Sequence, residues 1–376
     1  MFRKTAETFQ AGAKTLPQRY FVSPAVFAEE QEKVFSKQWV LVGHQSQIAK
    51  SGDYFTAEVA GESLIIVRDK RGEIHGFYNV CRHRGSRLIE NRNGQLSAAI
   101  QCPYHAWTYG LDGRLLGAPH MDDLLGFNKT DYSLHPVNVA LWEGFIFVNL
   151  ADASTSRSNR DYISLEEWFA PLAGKFARWN LPALLSARRI KYDVRANWKL
   201  MFQNYSECYH CLGVHPELSK ISPDDSAEND LTEGPFLGGF MRIASDKSLT
   251  MSGHTCALPV GDFGDEDFRF VFYYSIFPNM LMSLHPDYVM VHQLVPQSPG
   301  RTLIFCNWFF HPEAFEREDF KPEDAIEFWD MVNRQDWHVC ELSQQGISSR
   351  AYVPGPYSAR ESIPAAWDRE YLRHLR

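Results

Sequence analysis

The 376-residue chain is poor in three things, and each shortage excludes a class of protein. No apolar run approaches the ~20 residues that a membrane-spanning helix needs. The opening stretch MFRKTAETFQAGAKTLPQRYF also has no apolar h-region, which predicts a cytoplasmic protein with no membrane partner. Basic excess is missing too: 38 Lys and Arg face 46 Asp and Glu, a formal charge of −8, so nothing would displace phosphate counterions and nucleic acid is excluded. Cysteine is scarce, seven in all, an odd number without a secretory signal. That does not make a disulfide framework, and clustered Cys and His are better read as metal ligands or buried thiols. Aromatic residues are plentiful instead, 14% with ten Trp, enough for a core and an apolar pocket besides.

This length exceeds what one hydrophobic core organises, so two domains are expected. Residues 23–36, SPAVFAEEQEKVFS, predict a short helix with Ser23 at the N-cap and Pro24 at the first helical position. They anchor an N-terminal helical segment over 1–38. From 39 to 152 the texture is β: WVLVGH, YFTAEVAG, SLIIVRD and GFIFVNL are short, β-branched or aromatic, and separated by Gly and Asp turns. The Ser-rich ADASTSRSNRD over 151–161 is the linker candidate. The second domain, 153–376, opens with the helical SLEEWFAPLAGKFARW, capped by Ser164 and Glu167. A loop-like stretch comes next over 221–260, then the strands FRFVFYYSIF, YVMVHQLVP and RTLIFCNWFF, and a final helix from Pro322. The fold class is α+β.

Cys81-Arg-His83 and Cys102-Pro-Tyr-His105 stand eighteen residues apart, each pair in a turn that lets two side chains converge. Two Cys and two His suit zinc. Against zinc, each loop supplies one of each type, the mix a Rieske centre needs when one iron takes two thiolates and the other two imidazoles. The wording NVCRHRGSRL and CPYHAWTYGLDGRL closely resembles the Rieske motif of bacterial ring-hydroxylating and demethylating oxygenases. The resemblance implies a 2Fe–2S cluster with Cys81 and Cys102 on one iron, His83 and His105 on the other. It also implies an all-β Rieske domain joined to a helix-grip catalytic domain, an antiparallel sheet with helices.

The second cluster is NYSECYHCLGVH, residues 204–215. His210 and His215 are five apart and would diverge by roughly 140° on a regular helix, so a shared metal requires a break between them, most cheaply at Gly213. Glu207, three before His210, would share its helical face. Cys208-Tyr-His-Cys211 is formally C-x-x-C, but no His comes after it and no βαβ setting surrounds it. NWKLMFQNYSECYHCLGVHPEL resembles the mononuclear iron segment of the same oxygenase family, and RQDWHVCELSQQGISSRAY its late helix. The resemblance implies Fe(II) held by His210, His215 and Asp336, a facial set of two His and one carboxylate that leaves positions open. Asp330 and Glu341 are weaker candidates for the carboxylate. It gives Glu207 the role of an inter-subunit electron bridge between a Rieske His and an iron-ligand His. Asn204 becomes a support for the iron site, and Cys208 and Cys211 small buried residues. Glu rather than Asp at the bridge is similar to the branch acting on glycine betaine, carnitine and choline.

The function this resemblance implies is that of a terminal oxygenase. It would take electrons from NAD(P)H through a separate flavin and iron–sulfur reductase, use O₂, and assemble as a homotrimer. A quaternary or tertiary ammonium compound is the expected substrate, hydroxylated or oxidatively N-dealkylated. An aromatic acid or xenobiotic is the alternative within the same chemistry. An electron carrier without its own oxygenation is a third reading, which the second metal set opposes. Phe272, Tyr273, Tyr274 and Trp308, with Phe309, are candidates for a cage around a cationic group, although period-2 aromatics also make ordinary sheet core.

Overall fold

The computed structural model describes residues 1–151, 162–244 and 247–376. They divide into two compact units: Gln31–Ala173, and Met1–Glu30 together with Gly174–Arg376. The first 30 residues thus belong with the second half of the chain. Residues 31–38, and Tyr162 to Ala173, belong with the β unit instead of the segments expected for them. The linker candidate lies, apart from Ala151, outside the described residues.

The unit Gln31–Ala173 is built on two antiparallel sheets. The larger runs Val40–His44, Phe145–Asn149, Pro136–Trp142, Ile74–Tyr78, Glu62–Arg68, Asp53–Val59 and Asn93–Gln95 from edge to edge. The smaller pairs Ala99–Gln101, Thr108–Gly110 and Leu115–Gly117. Leu64, Ile65, Ile66 and Val67 are buried on both faces of their strand. Continuous burial of this kind explains why SLIIVRD shows no polar alternation. The cluster of Ile65, Val67, Phe77, Ile100, Trp107 and Tyr109 also takes in the Cys81 and Cys102 thiols.

The other unit carries an eight-stranded antiparallel sheet in the order Arg3–Lys4, Glu228–Leu231, Phe236–Arg242, Phe270–Ile276, Met280–Leu284, Val289–Ser298, Arg301–Phe310 and Leu185–Val194. Two of these strands, ENDL and FLGGFMR, fall in the stretch read as a loop. Gly238 and Gly239 are the reason that strand looked irregular. A Cβ on either would come within 2.0 Å of a neighbouring strand's carbonyl oxygen, and Gly238 has φ +142. The long helix Pro322–Ile347 grips the sheet by polar contacts: Trp329 Nε1 donates to the Tyr288 hydroxyl (2.7 Å), Tyr192 donates to Asp330 Oδ1 (2.7 Å), and Asn333 Oδ1 meets His292 Nε2 (3.0 Å).

It is not the last helix, as expected from the sequence. Ser362–Leu375 comes after it, and buries Trp367 and Tyr371. The helix Trp198–Tyr205 holds a fully buried ion pair, Lys199 Nζ to Glu30 Oε1 at 2.5 Å, and Glu30 also accepts from Trp198 Nε1 and the Tyr371 hydroxyl. This joins the N-terminal helix Pro24–Glu30 to both later helices. The helical expectation at 164 holds only for Leu165–Phe169, whose Glu167 N–H donates to Ser164 Oγ at 3.1 Å. Beyond it, Pro171 and Gly174 leave only short 3₁₀ segments. No helix of the described residues is long and apolar enough to cross a membrane.

Candidate metal centres

The two Cys/His loops of the β unit are copies of one backbone design. Cys81 N–H donates to Ser86 O and Cys102 N–H to Trp107 O, both at 2.8 Å; Gly85 N–H returns to Cys81 O and Ala106 N–H to Cys102 O, both at 3.1 Å. Each loop closes through a left-handed residue, Gly85 (φ +73) and Ala106 (φ +58). The non-glycine residue at the second position carries strain that the paired loops hold in place. The thiols point inward and are 3% exposed, while His83 is exposed and His105 half-buried. The imidazole rings lie 4.8 Å apart, His83 stacked on Trp107 and His105 on Tyr104. Burial, and then the neighbouring His105, hold His83 below its ordinary range, which favours the neutral, ligating form. The Tyr109 hydroxyl sits 3.3 Å from Cys81 Sγ. Inward sulfurs and outward imidazoles suit a Rieske cluster, whose one iron would take the two thiolates and the other the two imidazoles.

The second set forms across two elements of the other unit. The helix Trp198–Tyr205 ends before Glu207, and His210 and His215 flank a single turn of helix, Cys211–Val214. The break is therefore not at Gly213, which lies inside that turn; it falls on both sides of it, and Glu207 reaches His210 from a bend rather than along a helical face. Asp336 comes from the inward face of the long helix. His215 Nε2 lies 2.9 Å and His210 Nε2 3.2 Å from Asp336 Oδ1. Their other nitrogens are engaged: His210 Nδ1 with Glu207 Oε1 (2.6 Å), His215 Nδ1 with Gln335 Oε1 (2.7 Å). Acceptors at both Nδ1 atoms fix the proton there, so both Nε2 lone pairs face a carboxylate lone pair. Such a face is stable only around a positive charge. Without a metal a proton supplies it. Burial opposes charge on His210, yet hydrogen bonds to Asp336 and Glu207 outweigh it and push the imidazole up to about 10. Burial likewise opposes charge on Asp336, but its two imidazoles hold it down to about 2. A divalent cation in that place satisfies all three groups, so the residues fit the iron that the sequence implies.

Of the other expected residues, Asn204 Nδ2 lies 3.4 Å from His210 Nε2, at the edge of the set. Asp330 and Glu341 are engaged elsewhere, Asp330 by the Tyr192 hydroxyl and Glu341 by the Arg195 N–H. Cys208 and Cys211 are not simply small buried residues; they are disulfide-bonded, their Cα atoms brought to 4.9 Å by the bend. Gln335 was not legible beforehand, because nothing in the sequence marks an amide next to Asp336 as a His partner.

A cavity of about 360 Å³ lies beside the set, walled by Tyr205, Glu207, Tyr209, Tyr273, Asp225 and Met241, although none of the three ligands lines it. The strand Phe270–Ile276 divides the expected aromatic cage. Tyr273 faces this cavity, with Tyr205 at 5.9 Å and Trp329 at 6.3 Å. Phe272 and Tyr274 alternate to the opposite face, against Trp179 and Phe176, where the Tyr274 hydroxyl donates to Asp230. Trp308 and Phe309 are core, 0% and 3% exposed. Four of the five cage candidates thus do not line the cavity: Phe272, Tyr274 and Phe309 because strand side chains alternate, and Trp308, which shares the face of Tyr273, because it is fully buried three strands away.

A β unit presenting two Cys/His loops, together with an α+β unit holding a two-His, one-carboxylate set, defines the class of iron–sulfur oxygenases with a separate mononuclear iron. Residues 38–130 match the Rieske [2Fe-2S] domain and residues 181–376 the ring-hydroxylating alpha subunit (catalytic domain). The chain belongs to the Rieske non-haem iron oxygenases, as their alpha, or terminal oxygenase, subunit. Over 92% of its length it is 34% identical to the glycine betaine monooxygenase oxygenase subunit of Chromohalobacter salexigens, covering 82% of that protein. To the carnitine monooxygenase oxygenase subunit of Escherichia coli K12 it is 37% identical over 90% of its length and 86% of the relative's. A solved quaternary ammonium Rieske monooxygenase, described with carnitine oxidation by gut microbiota and inter-subunit electron transfer, superposes with TM-score 0.83 at 27% identity, each chain covered entirely. The enzyme is an oxidoreductase with a Rieske 2Fe–2S cluster and a mononuclear iron, taking a small-molecule substrate and O₂ and drawing electrons from a reductase.

Proposed function

We propose that this oxygenase oxidises a small quaternary or tertiary ammonium compound of the betaine, carnitine or choline kind, at an N-alkyl carbon or a neighbouring one. The observation that carries the reading is the similarity, across nine-tenths of the chain, to relatives named for glycine betaine and carnitine. The site is compatible with it: Tyr205 and Tyr273 line the cavity with aromatic surface, and the carboxylates of Glu207, Asp224 and Asp225 there outnumber the cations of Lys4 and Arg360.

We assign Cys81, His83, Cys102 and His105 to the cluster and His210, His215 and Asp336 to the mononuclear iron. When bound, the cluster supplies electrons singly and the iron supplies dioxygen activation. The chain's own residues do the rest. Gln335 and Glu207 hold the two imidazoles in the tautomer that presents Nε2. Tyr205 and Tyr273 wall the approach. At an N-methyl group the overall change is insertion of one oxygen atom into a C–H bond, while two electrons and two protons take the other oxygen to water. The N-hydroxymethyl product then breaks its C–N bond to give amine and formaldehyde.

Glu207 also suits a contact between copies. Its carboxylate accepts from His210 Nδ1 and from the N–H groups of Tyr209 and His210, three of its roughly four acceptor positions. One remains for an outside donor, and Tyr209 and Leu212 of the same segment are exposed. We propose that His83 or His105 of a neighbouring copy donates there, in a head-to-tail homotrimer. Mass measurement in solution should give three chains or a multiple; a monomer that turns over at full rate overturns the trimer. For the substrate, an NADH-coupled assay with a surrogate reductase should show formaldehyde or hydroxylated product from betaines, carnitine or choline, with oxygen uptake matched to product. Coupled turnover of benzoates alone would overturn the ammonium reading.

A further inference from the structure

The unit Gln31–Ala173 has an open cavity of about 810 Å³ between the hairpin of Pro136–Trp142 and Phe145–Asn149 and the short helix Leu165–Phe169. Four aromatic side chains line it, Trp39, Trp142, Tyr162 and Phe169, together with the carboxylates of Glu143 and Glu166. Among the described residues no Lys, Arg or His is in the lining, and none of the residues assigned to either metal set is. Trp142 and Phe169 stack at 4.3 Å, and Trp39, oriented by its Nε1–H to Ile163 O (2.9 Å), lies 6.1 Å from Tyr162.

Glu143 is the unusual member. It opens the two-residue turn Glu143–Gly144, with φ +49 and +78, a position that favours Gly, Asn or Asp. Its carboxylate is half-buried, and no hydrogen-bond donor or cation among the described residues meets it. Burial alone raises its pKa. A carboxylate partly withdrawn from water beside ring faces, with no countercharge supplied by the described chain, is complementary to a cation that is itself apolar at its surface. An alkali ion would need a cage of oxygen ligands instead, and the exposed wall is mostly apolar.

We propose that this cavity binds a small organic ammonium ion, with the cationic nitrogen opposite Glu143 and its alkyl groups against the rings of Trp142, which Phe169 backs from behind, and Tyr162. It is a second cation site, separate from the iron site, and does not depend on which substrate the iron site takes. The test uses the full-length holoenzyme and tetramethylammonium chloride in isothermal titration at constant chloride. Wild type should bind it, Glu143→Asn should lose one binding equivalent per chain or weaken it at least tenfold, and potassium should not compete. Asn accepts the left-handed turn more readily than Glu, so the variant should melt no lower than wild type, separating loss of binding from loss of fold. Tyr162→Leu should weaken binding as well. Equal stoichiometry and affinity in wild type and Glu143→Asn, no binding by wild type, or equally effective displacement by potassium would overturn the proposal.

Discussion

Replacing Glu207 by Gln keeps size and shape and removes one charge. In wild type the carboxylate takes the Nδ1–H of His210 at 2.6 Å in surroundings that leave the two side chains only 13% and 18% exposed, so water screens the contact little. A hydrogen bond to a charged group contributes about 1.5–3 kcal/mol net, a neutral one about 0.5–1.5. The amide must also choose. If its oxygen keeps the N–H groups of Tyr209 and His210, its NH₂ confronts the Nδ1–H, donor against donor. The loss at His210 is then about 1–2 kcal/mol, or roughly 5- to 30-fold in retention of the mononuclear iron. Turnover should fall further than iron content, because the amide also changes what Glu207 offers to a neighbouring copy. The assay is iron titration by a chromogenic chelator beside Rieske absorbance and coupled turnover with a surrogate reductase. Rieske absorbance should be unchanged. A Glu207→Gln enzyme with wild-type turnover at full iron loading would refute both the orienting and the bridging role.

Asp336→Ala should abolish mononuclear iron and leave the visible Rieske spectrum intact; stoichiometric retention of that iron would mean another carboxylate holds it. Gln335→Leu should weaken iron binding about 10- to 100-fold by freeing the His215 tautomer, read by competition with a chelator. Glu30→Gln strands a buried Lys199 and should lower stability by about 3–5 kcal/mol in chemical denaturation, whereas Glu30→Met with Lys199→Met should recover only part of that, because Trp198 Nε1–H and the Tyr371 hydroxyl lose their buried acceptor. Asp368 is fully buried, and burial raises it from 3.8 to about 7 despite donors from Gln203 and Tyr357. Because its folded value is raised, the contribution is complete below pH ~4 and is lost as pH climbs through ~7, at up to about 1.4 kcal/mol per unit. Asp368→Asn should flatten that part of the melting-temperature profile.

Both clusters of candidate ligands were legible in the sequence for a physical reason. Each Cys/His loop closes on itself within six residues, and His210 and His215 sit in one short segment, so local text carries local geometry. Asp336 came from resemblance, since its approach to the histidines depends on how a long helix lies on a sheet. The parts that stayed hidden are those that only packing decides. ENDL and FLGGFMR are strands because Phe270–Ile276 pairs with the second of them, and no propensity of a Gly-Gly strand announces it. The alternation of Phe272, Tyr273 and Tyr274 was visible, but not which face meets the cavity. Ser362–Leu375 carries Trp367 and Tyr371 at helical spacing, and Pro364 near its start conceals it.

The arrangement also makes the two histidines unequal. His215 is 1% exposed and takes both its contacts from the long helix, Gln335 at one nitrogen and Asp336 at the other. That helix is fastened to the sheet through Trp329, Asp330 and Asn333, so His215 and Asp336 form one stiff pair of ligands. His210 is 18% exposed and stands on a segment that is regular for only one turn. Its orienting partner, Glu207, lies on the same segment and near the surface. Any contact made at Glu207 therefore bears on one ligand of three and leaves the other two where the helix holds them. A donor docked at Glu207, as proposed above, would act on His210 while the helix keeps the other two groups in place, because a packed helix resists small displacements and a short bend accommodates them.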